Sequence, residues 1–249
     1  PAGYRRLNFD SLLSTNSEAL TLARGGESGN LWVTATEQSG GRGRRGREWI
    51  TGRGNLAASL LLIDAAPASM IATISFVAAV AVHQAVMDIA GPALADRLSL
   101  KWPNDLVLDK HKIAGILVEG ETLPSGSFAV VVGIGVNCVS HPETTAPTPA
   151  SDLSERGIHA DAEALFARLV VRMGDELDRW QRGDDFPATR AAWLTRSWGV
   201  GGGIRINLGD RVVEGRFENL DECGRLVLAK ADGAREIFTA GDMFFPGTR

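Results

Sequence analysis

The stretch MIATISFVAAVAVHQAVMDIAG, residues 70–91, limits the fold more than any other part of this chain. As a helix it is apolar around nearly its whole circumference, so it must be covered on nearly every side. Length alone admits a membrane span. His83, Gln84 and Asp88 interrupt the run, and no other segment has membrane character. The expectation is a core helix laid against a sheet, with no membrane partner.

The strands for such a sheet are present. LWVTATEQ (31–38) and NLAASLLLI (55–63) are apolar and strand-like, and LSLKW (98–102) is a short strand closed by Pro103. HKIAGILVEGE (111–121) and SFAVVVGIGVN (127–137) form a strand pair across the turn TLPSG. TNSEALTLAR (15–24) is a capped helix, and further helices are expected over about 69–90, through the 160s to 180s, and over 186–197. From Gly199 the texture changes to short alternating strands punctuated by Gly-Asp, Cys-Gly and Asp-Gly turns. This predicts an α/β domain over residues 1–197 and a small β-barrel over 198–249, with the glycines at 201–203 as linker. The strand at 127–137 is a candidate open edge for a homodimer; a monomer is equally compatible.

Composition sets limits. With 249 residues, 44% of them hydrophobic and 22% charged, the chain is an ordinary globular protein with room for one large core and a small second one. A formal net charge of -4 excludes a generally basic, nucleic-acid-coating surface. The two cysteines, Cys138 and Cys223, lie far apart and point to a reducing compartment, the cytoplasm, and not to a disulfide framework. PAGYRRLNFDSLL at the N-terminus has no secretory core. The four histidines have no metal-ligand spacing.

Against that acidic background, GGRGRRGRE (40–48) packs four arginines and four glycines into nine positions. Guanidinium groups bind phosphate and carboxylate in bidentate fashion, and glycines let the backbone approach an anion. A mobile loop wrapping a small anionic ligand and a solvated or RNA-touching basic loop both fit. The segment lacks the Gly-Lys-Ser/Thr of a phosphate-binding P-loop.

Three further segments offer polar groups at element ends. In KWPNDLVLDKHKIAGILVE (101–119), Asn104 and Asp105 follow a strand end, where they either bind ribose, magnesium or an adenine edge, or stabilise their own turn. Lys112 opens an apolar strand, where its charge needs an anion, and Gly115 leaves space beside that strand. In VVGIGVN (131–137), Gly133 and Gly135 share a face, serving either close packing or a pocket floor, and Asn137 is a pocket group or a strand-end cap. Ser14-Thr15-Asn16 caps a helix and equally presents a polar helix N-terminus to a ligand.

In this order and combination, STN, EQSGGRGRRGREW, KWPNDL with KIAGILVE, and GIGVN closely resemble the biotin protein ligases. The resemblance runs from about residue 8 to 137, and the β-rich C-terminal segment fits it too. It implies an α+β fold: a mixed-sheet catalytic domain of the biotin/lipoate ligase type plus a small C-terminal SH3-like β-barrel. It implies a ligase that activates biotin with ATP-Mg2+ to biotinyl-5′-AMP and passes the acyl group to one lysine of a biotin carboxyl carrier protein domain. On the family pattern Ser14, Thr15, Asn16 and Gln38 would hold the ureido ring. Gly41, Arg42, Gly43 and Arg44 would close over the biotin chain and phosphate, with Gly115 and Gly133 lining the biotin pocket. Lys112 would contact the biotin carboxylate and phosphoryl oxygens, with Arg44 and Lys112 as the catalytic pair. Arg47, Trp49, Asn104, Asp105 and Asn137 would serve the nucleotide and its metal, Asp105 being the candidate magnesium ligand.

Some relatives carry an N-terminal DNA-binding domain. About a dozen residues precede Ser14 here, so a ligase without DNA binding is expected. HPETTAPTPAS (141–151), where the family folds a second segment over adenine, offers no aromatic residue to stack on it. The alternatives are a lipoate or octanoate ligase of related fold, a nucleic-acid-binding module using the arginine loop, and a catalytically idle biotin sensor.

Overall fold

The computed structural model describes residues 3–144 and 148–245. In chain order the elements are β1 (Arg5–Leu12), α1 (Thr15–Arg24), β2 (Leu31–Gln38), β3 (Leu56–Ile63), α2 (Ile74–Ala90), β4 (Leu98–Lys101), β5 (Asp105–Leu108), β6 (His111–Thr122), β7 (Phe128–Val136), α3 (Ala162–Trp180) and α4 (Phe186–Leu194). Five short strands follow: β8 (Gly203–Asn207), β9 (Val212–Leu220), β10 (Leu226–Ala229), β11 (Arg235–Phe238) and β12 (Asp242–Phe244). The first seven strands form one mixed sheet in the order β1-β2-β3-β7-β6-β5-β4; β1 and β2 run parallel and every other pair antiparallel.

The apolar run is α2, long and apolar enough to cross a membrane but packed inside the protein. One side lies on β4 to β7, and α3 and α4 cover the other. Ile74, Phe76, Val77, Val80, Val82 and Val86 are all buried, each stabilising the fold by about 1.5–3 kcal/mol.

The strand period then divides β7 between two cores. Val130, Val132, Ile134 and Val136 face the α2 side. Ala129 and Val131 face the α1 side, against Ala19, Ala23 and Leu61. The α1-side row continues as Gly133 and Gly135. Side chains vanish from the sheet where α1 begins, and the resulting hollow is the site described below.

Two expectations need correction. The strand at 127–137 is no edge: β7 lies between β3 and β6, and the sheet ends at β1 and β4. Strands β1 and β5 had no clear signal, β1 because its exposed, charged residues ride on the sheet margin and β5 because it is four residues long. The glycines at 201–203 are no free linker. Gly201 N–H donates to the Phe217 carbonyl, Phe217 N–H to the Gly202 carbonyl, and Gly203 opens β8. The C-terminal unit is an antiparallel sheet, β11-β10-β9-β8-β12, whose outer strands do not pair with each other. Its barrel-like core draws Ile206, Phe217, Leu228, Phe238 and Met243 from all five strands and is continuous with that of α2 and α4. At Gly224, with a φ of +77°, an added Cβ would fall 2.5 Å from the Phe76 ring. The two units are also joined where Leu100 of β4 pairs with residues 196–198.

Candidate active site

The hollow is a cavity of about 230 Å3 bounded by α1, the 42–50 loop, the ends of β4 to β7, residues 142–144 and 148–150, and β12. Every candidate residue named above lines it except Gly41. Gly41 acts behind the wall, where an added Cβ would fall 2.4 Å from the Trp49 carbonyl and 3.0 Å from Gln38 Nε2.

One end is lined by uncharged groups tied together by hydrogen bonds, with the Glu119 carboxylate as one acceptor. Ser14 caps α1, its hydroxyl accepting from the Ser17 N–H. Gln38 Oε1 accepts from the Thr15 N–H at 2.8 Å and the Thr15 hydroxyl at 3.0 Å, while Gln38 Nε2 donates to Thr51 at 3.0 Å. Ser59, fully buried, lies 2.7 Å from Thr15 Oγ1 and 2.6 Å from Asn16 Oδ1. Asn16 Nδ2 donates to Glu119 at 2.8 Å. A Cβ on Gly133 would fall 2.3 Å from Asn16 Oδ1, so only glycine admits this asparagine. Such groups are oriented before any ligand arrives.

The other end is cationic. Lys112 Nζ is 2.6 Å from Asp105 Oδ1, and the buried Lys101 is 3.9 Å from Oδ2. Burial pushes the Lys101 ammonium below its ordinary value. Burial pushes the Asp105 carboxyl up, but Lys112, Lys101 and Arg44 together outweigh it and leave it below the usual carboxylate range. Arg44 is half-buried and donates to Asn104 Oδ1 at 3.3 Å, and burial lowers its guanidinium too. Asn104 Nδ2 donates to the Ile116 carbonyl at 2.6 Å, which fixes its direction.

Trp49 separates the two ends. Its indole lies on Gly135, where a Cβ would meet Nε1 at 2.3 Å, and beside Gly115 at 3.1 Å. Lys112 Nζ is 5.5 Å from its ring centroid. Asn137 has a scaffolding duty: its Nδ2 donates to the Ser151 carbonyl at 3.1 Å, helping hold the 148–152 segment alongside Lys112. Pro142, Thr144, Thr148 and Ala150 line the cavity, and residues 145–147 of the 141–151 stretch lie outside the described residues.

Arginine placement divides the loop. Arg42 reaches Glu119 at 3.4 Å, Arg44 enters the cavity, and Arg45 and Arg47 bond Asp242 of β12. Three of the four loop arginines are thus paired with carboxylates of the chain itself.

Lys101, Glu119, Asp242 and Met243 went unnoticed in the sequence. Glu119 was traceable, four residues beyond Gly115 on the same strand face. Lys101 was foreshadowed by its place at the head of an apolar strand end. Asp242 had no local signal, because only the docking of the C-terminal unit brings it to the cavity.

The fold and this site are those of enzymes that join a small carboxylic acid to protein lysines. The chain belongs to the biotin/lipoate A/B protein ligase family, whose model matches residues 12–137; residues 201–245 match the biotin protein ligase C-terminal domain. Within that family it is 41% identical, over 94% of this chain and 98% of the other, to the biotin--[acetyl-CoA-carboxylase] ligase of Paracoccus denitrificans. It is 30% identical, over 97% of this chain and 90% of the other, to the enzyme of the same name from Mycobacterium tuberculosis. Its fold matches the biotin protein ligase of Aquifex aeolicus, solved in complex with biotin and ATP, with a TM-score of 0.79 over 96% of this chain and 97% of that one, at 24% identity.

Proposed function

We infer that this chain is a biotin protein ligase: it activates biotin with ATP and transfers it to a lysine of a biotin carboxyl carrier protein domain. The observation that carries this reading is one cavity with a neutral, hydrogen-bonded end and a cationic end, with Trp49 between them. In the first step a biotin carboxylate oxygen attacks the α-phosphorus of ATP. The bond to the bridging oxygen breaks, and pyrophosphate leaves with its electron pair. Two anions meet, so catalysis rests on positioning and charge. Lys112, Lys101 and Arg44 supply that charge at the cationic end. In the second step the acceptor amine attacks the acyl carbon, AMP departs with the C–O electron pair, and the amine loses its proton.

Ser14, Thr15, Asn16 and Gln38 are assigned to the ureido ring, with Gly133 as floor. Arg42, Gly43 and Arg44 are assigned to the chain and phosphate, and Asn104 and Trp49 to the nucleotide side. The Lys112 role follows from its neighbour: Asp105 occupies its ammonium until a substrate anion replaces it. The loop excludes water from the mixed anhydride when it is closed.

Asp105 does not fit the part of magnesium ligand. Its Oδ1 lies 2.6 Å from the Lys112 ammonium and its Oδ2 3.9 Å from that of Lys101, so a divalent cation there would sit against two positive charges. Magnesium enters this scheme only as a companion of the ATP phosphates. The catalytic unit is assigned to 1–197 and the C-terminal unit to 198–249, a division supported by the separate five-stranded sheet that begins at Gly203. Two free cysteines, one buried and one exposed, accord with a cytoplasmic setting.

The test is intact-mass spectrometry of an apo carrier domain incubated with this protein and ATP-Mg2+, with biotin or lipoate. One biotin-sized gain, absent without ATP, is expected. A gain with lipoate alone would transfer the chain to the lipoate branch.

A further inference from the structure

The arginine loop is bonded to the C-terminal unit at Asp242. Asp242 is the first residue of β12, paired across the sheet with Asn207. Its Oδ2 accepts from Arg45 at 3.3 Å and from Arg47 at shorter range. Both arginines belong to the catalytic unit, 197 and 195 positions away in sequence. Arg45 holds a left-handed backbone, φ 58° and ψ 28°, uncommon for a residue with a side chain. That conformation sends Arg45 and its predecessor in different directions: Arg45 to the C-terminal unit, Arg44 into the cavity against Asn104. The loop is closed on itself by Gly43 N–H to the Arg47 carbonyl at 2.7 Å and Trp49 N–H to the Gly41 carbonyl at 2.9 Å. At its other end Arg42 rests on Glu119. The loop is thus slung between two carboxylates on separate units, with Arg44 at mid-span.

We propose that Asp242 is a positioning residue which, through Arg45 and Arg47, holds the arginine loop with Arg44 directed into the cavity, so that the C-terminal unit governs retention of the acyl-adenylate. The inference rests on the ligase reading given above. Asp242 touches no reacting atom; it acts by limiting where the loop can go. Two charge-assisted bonds converge on one partly exposed oxygen, which suits a contact that must release when the acceptor lysine enters.

The experiment uses the full chain with D242N, D242E and the charge exchange D242R/R47D. Two readouts are independent. Limited trypsin digestion reports loop freedom directly, because the loop presents four arginines, and it needs no activity. Release of biotinyl-adenylate after rapid dilution reports retention. For D242N, loop cleavage and adenylate release should both rise by roughly three- to tenfold, the range for losing two partly exposed ion pairs. The heat-unfolding midpoint should stay at the wild-type value. D242E should restore both rates, and D242R/R47D should protect the loop better than D242R alone. Wild-type cleavage or wild-type release in D242N would overturn the proposal. So would a lowered midpoint with cleavage throughout the chain, which would make Asp242 a fold contact only. If the wild-type chain forms no biotinyl-adenylate, the ligase reading fails, and trypsin still decides whether Asp242 anchors the loop.

Discussion

The two ends of the cavity solve the same problem by opposite means. At the α1 end, uncharged groups from α1, β2 and β3 bond one another, and Ser59 at their centre is fully buried. At the β4–β5 end, charges from five segments hold one another through Asp105 and Asp242. Neutral dipoles can be fixed in advance at little cost, because ligand and protein exchange comparable hydrogen bonds. Buried cations cannot wait unpaired, since desolvation of an isolated charge costs several kcal/mol. Beside Lys112 and Lys101 the protein therefore keeps a carboxylate, Asp105, that a substrate anion can replace. One end is built and the other is held in readiness.

Substitutions can break this contrast. The largest effect is expected for Lys112→Ala, which leaves Asp105 and the incoming phosphate without their nearest cation. Adenylation, followed by biotin-dependent pyrophosphate exchange, should fall by roughly 10^3-fold, the scale for losing a charge aimed at the reacting centre. The biotin Kd should change far less. Gly133→Ala acts at the other end. Its Cβ displaces Asn16, and the KM for biotin should rise by about 100-fold while that for ATP holds, given overpacking costs of about 1–3 kcal/mol. If both constants rose together, the ends would not be separate. Arg44→Gly comes next. It should release adenylate into solution about tenfold faster, the scale of one charge-assisted contact; unchanged release would remove Arg44 from the closing loop.

The smallest effect on activity belongs to a residue outside both ends. His83 is buried on α2, and burial, aided by Arg196, lowers its pKa to about 4. The unfolded chain binds a proton here at about 6.5, so His83-linked stability is complete above that pH. It is lost as pH falls from there to about 4, by roughly 3 kcal/mol in all. His83→Gln should flatten that limb of the unfolding curve and leave both Michaelis constants unchanged. A shift in either constant would show that the α2 core reports to the cavity.

Much of this was legible in the sequence because the signals were local. Helical spacing in 162–180, the cap at Ser14, the apolar strands and the glycine-arginine loop each follow from neighbours within a few positions. The grouping of Ser14, Gln38, Lys112 and Gly133 was legible only through resemblance to a family; no spacing rule connects them. The glycines show the limit plainly. Gly133 and Gly135 could have been packing or pocket residues, and they are both: each admits a side chain, Asn16 or Trp49, into the cavity wall.

By itself the sequence determined most of the elements, the burial of α2 and the chemistry available to a loop of four arginines. Periodicity and residue type act over one or two turns of chain, so they survive without a fold. Tertiary structure alone decided which anion each cation meets. Asp105 came between two lysines, and Arg45 and Arg47 were drawn to Asp242 from nearly 200 positions away. Those pairings depend on distance through space in a medium of low dielectric, and the order of residues along a chain carries no record of that distance.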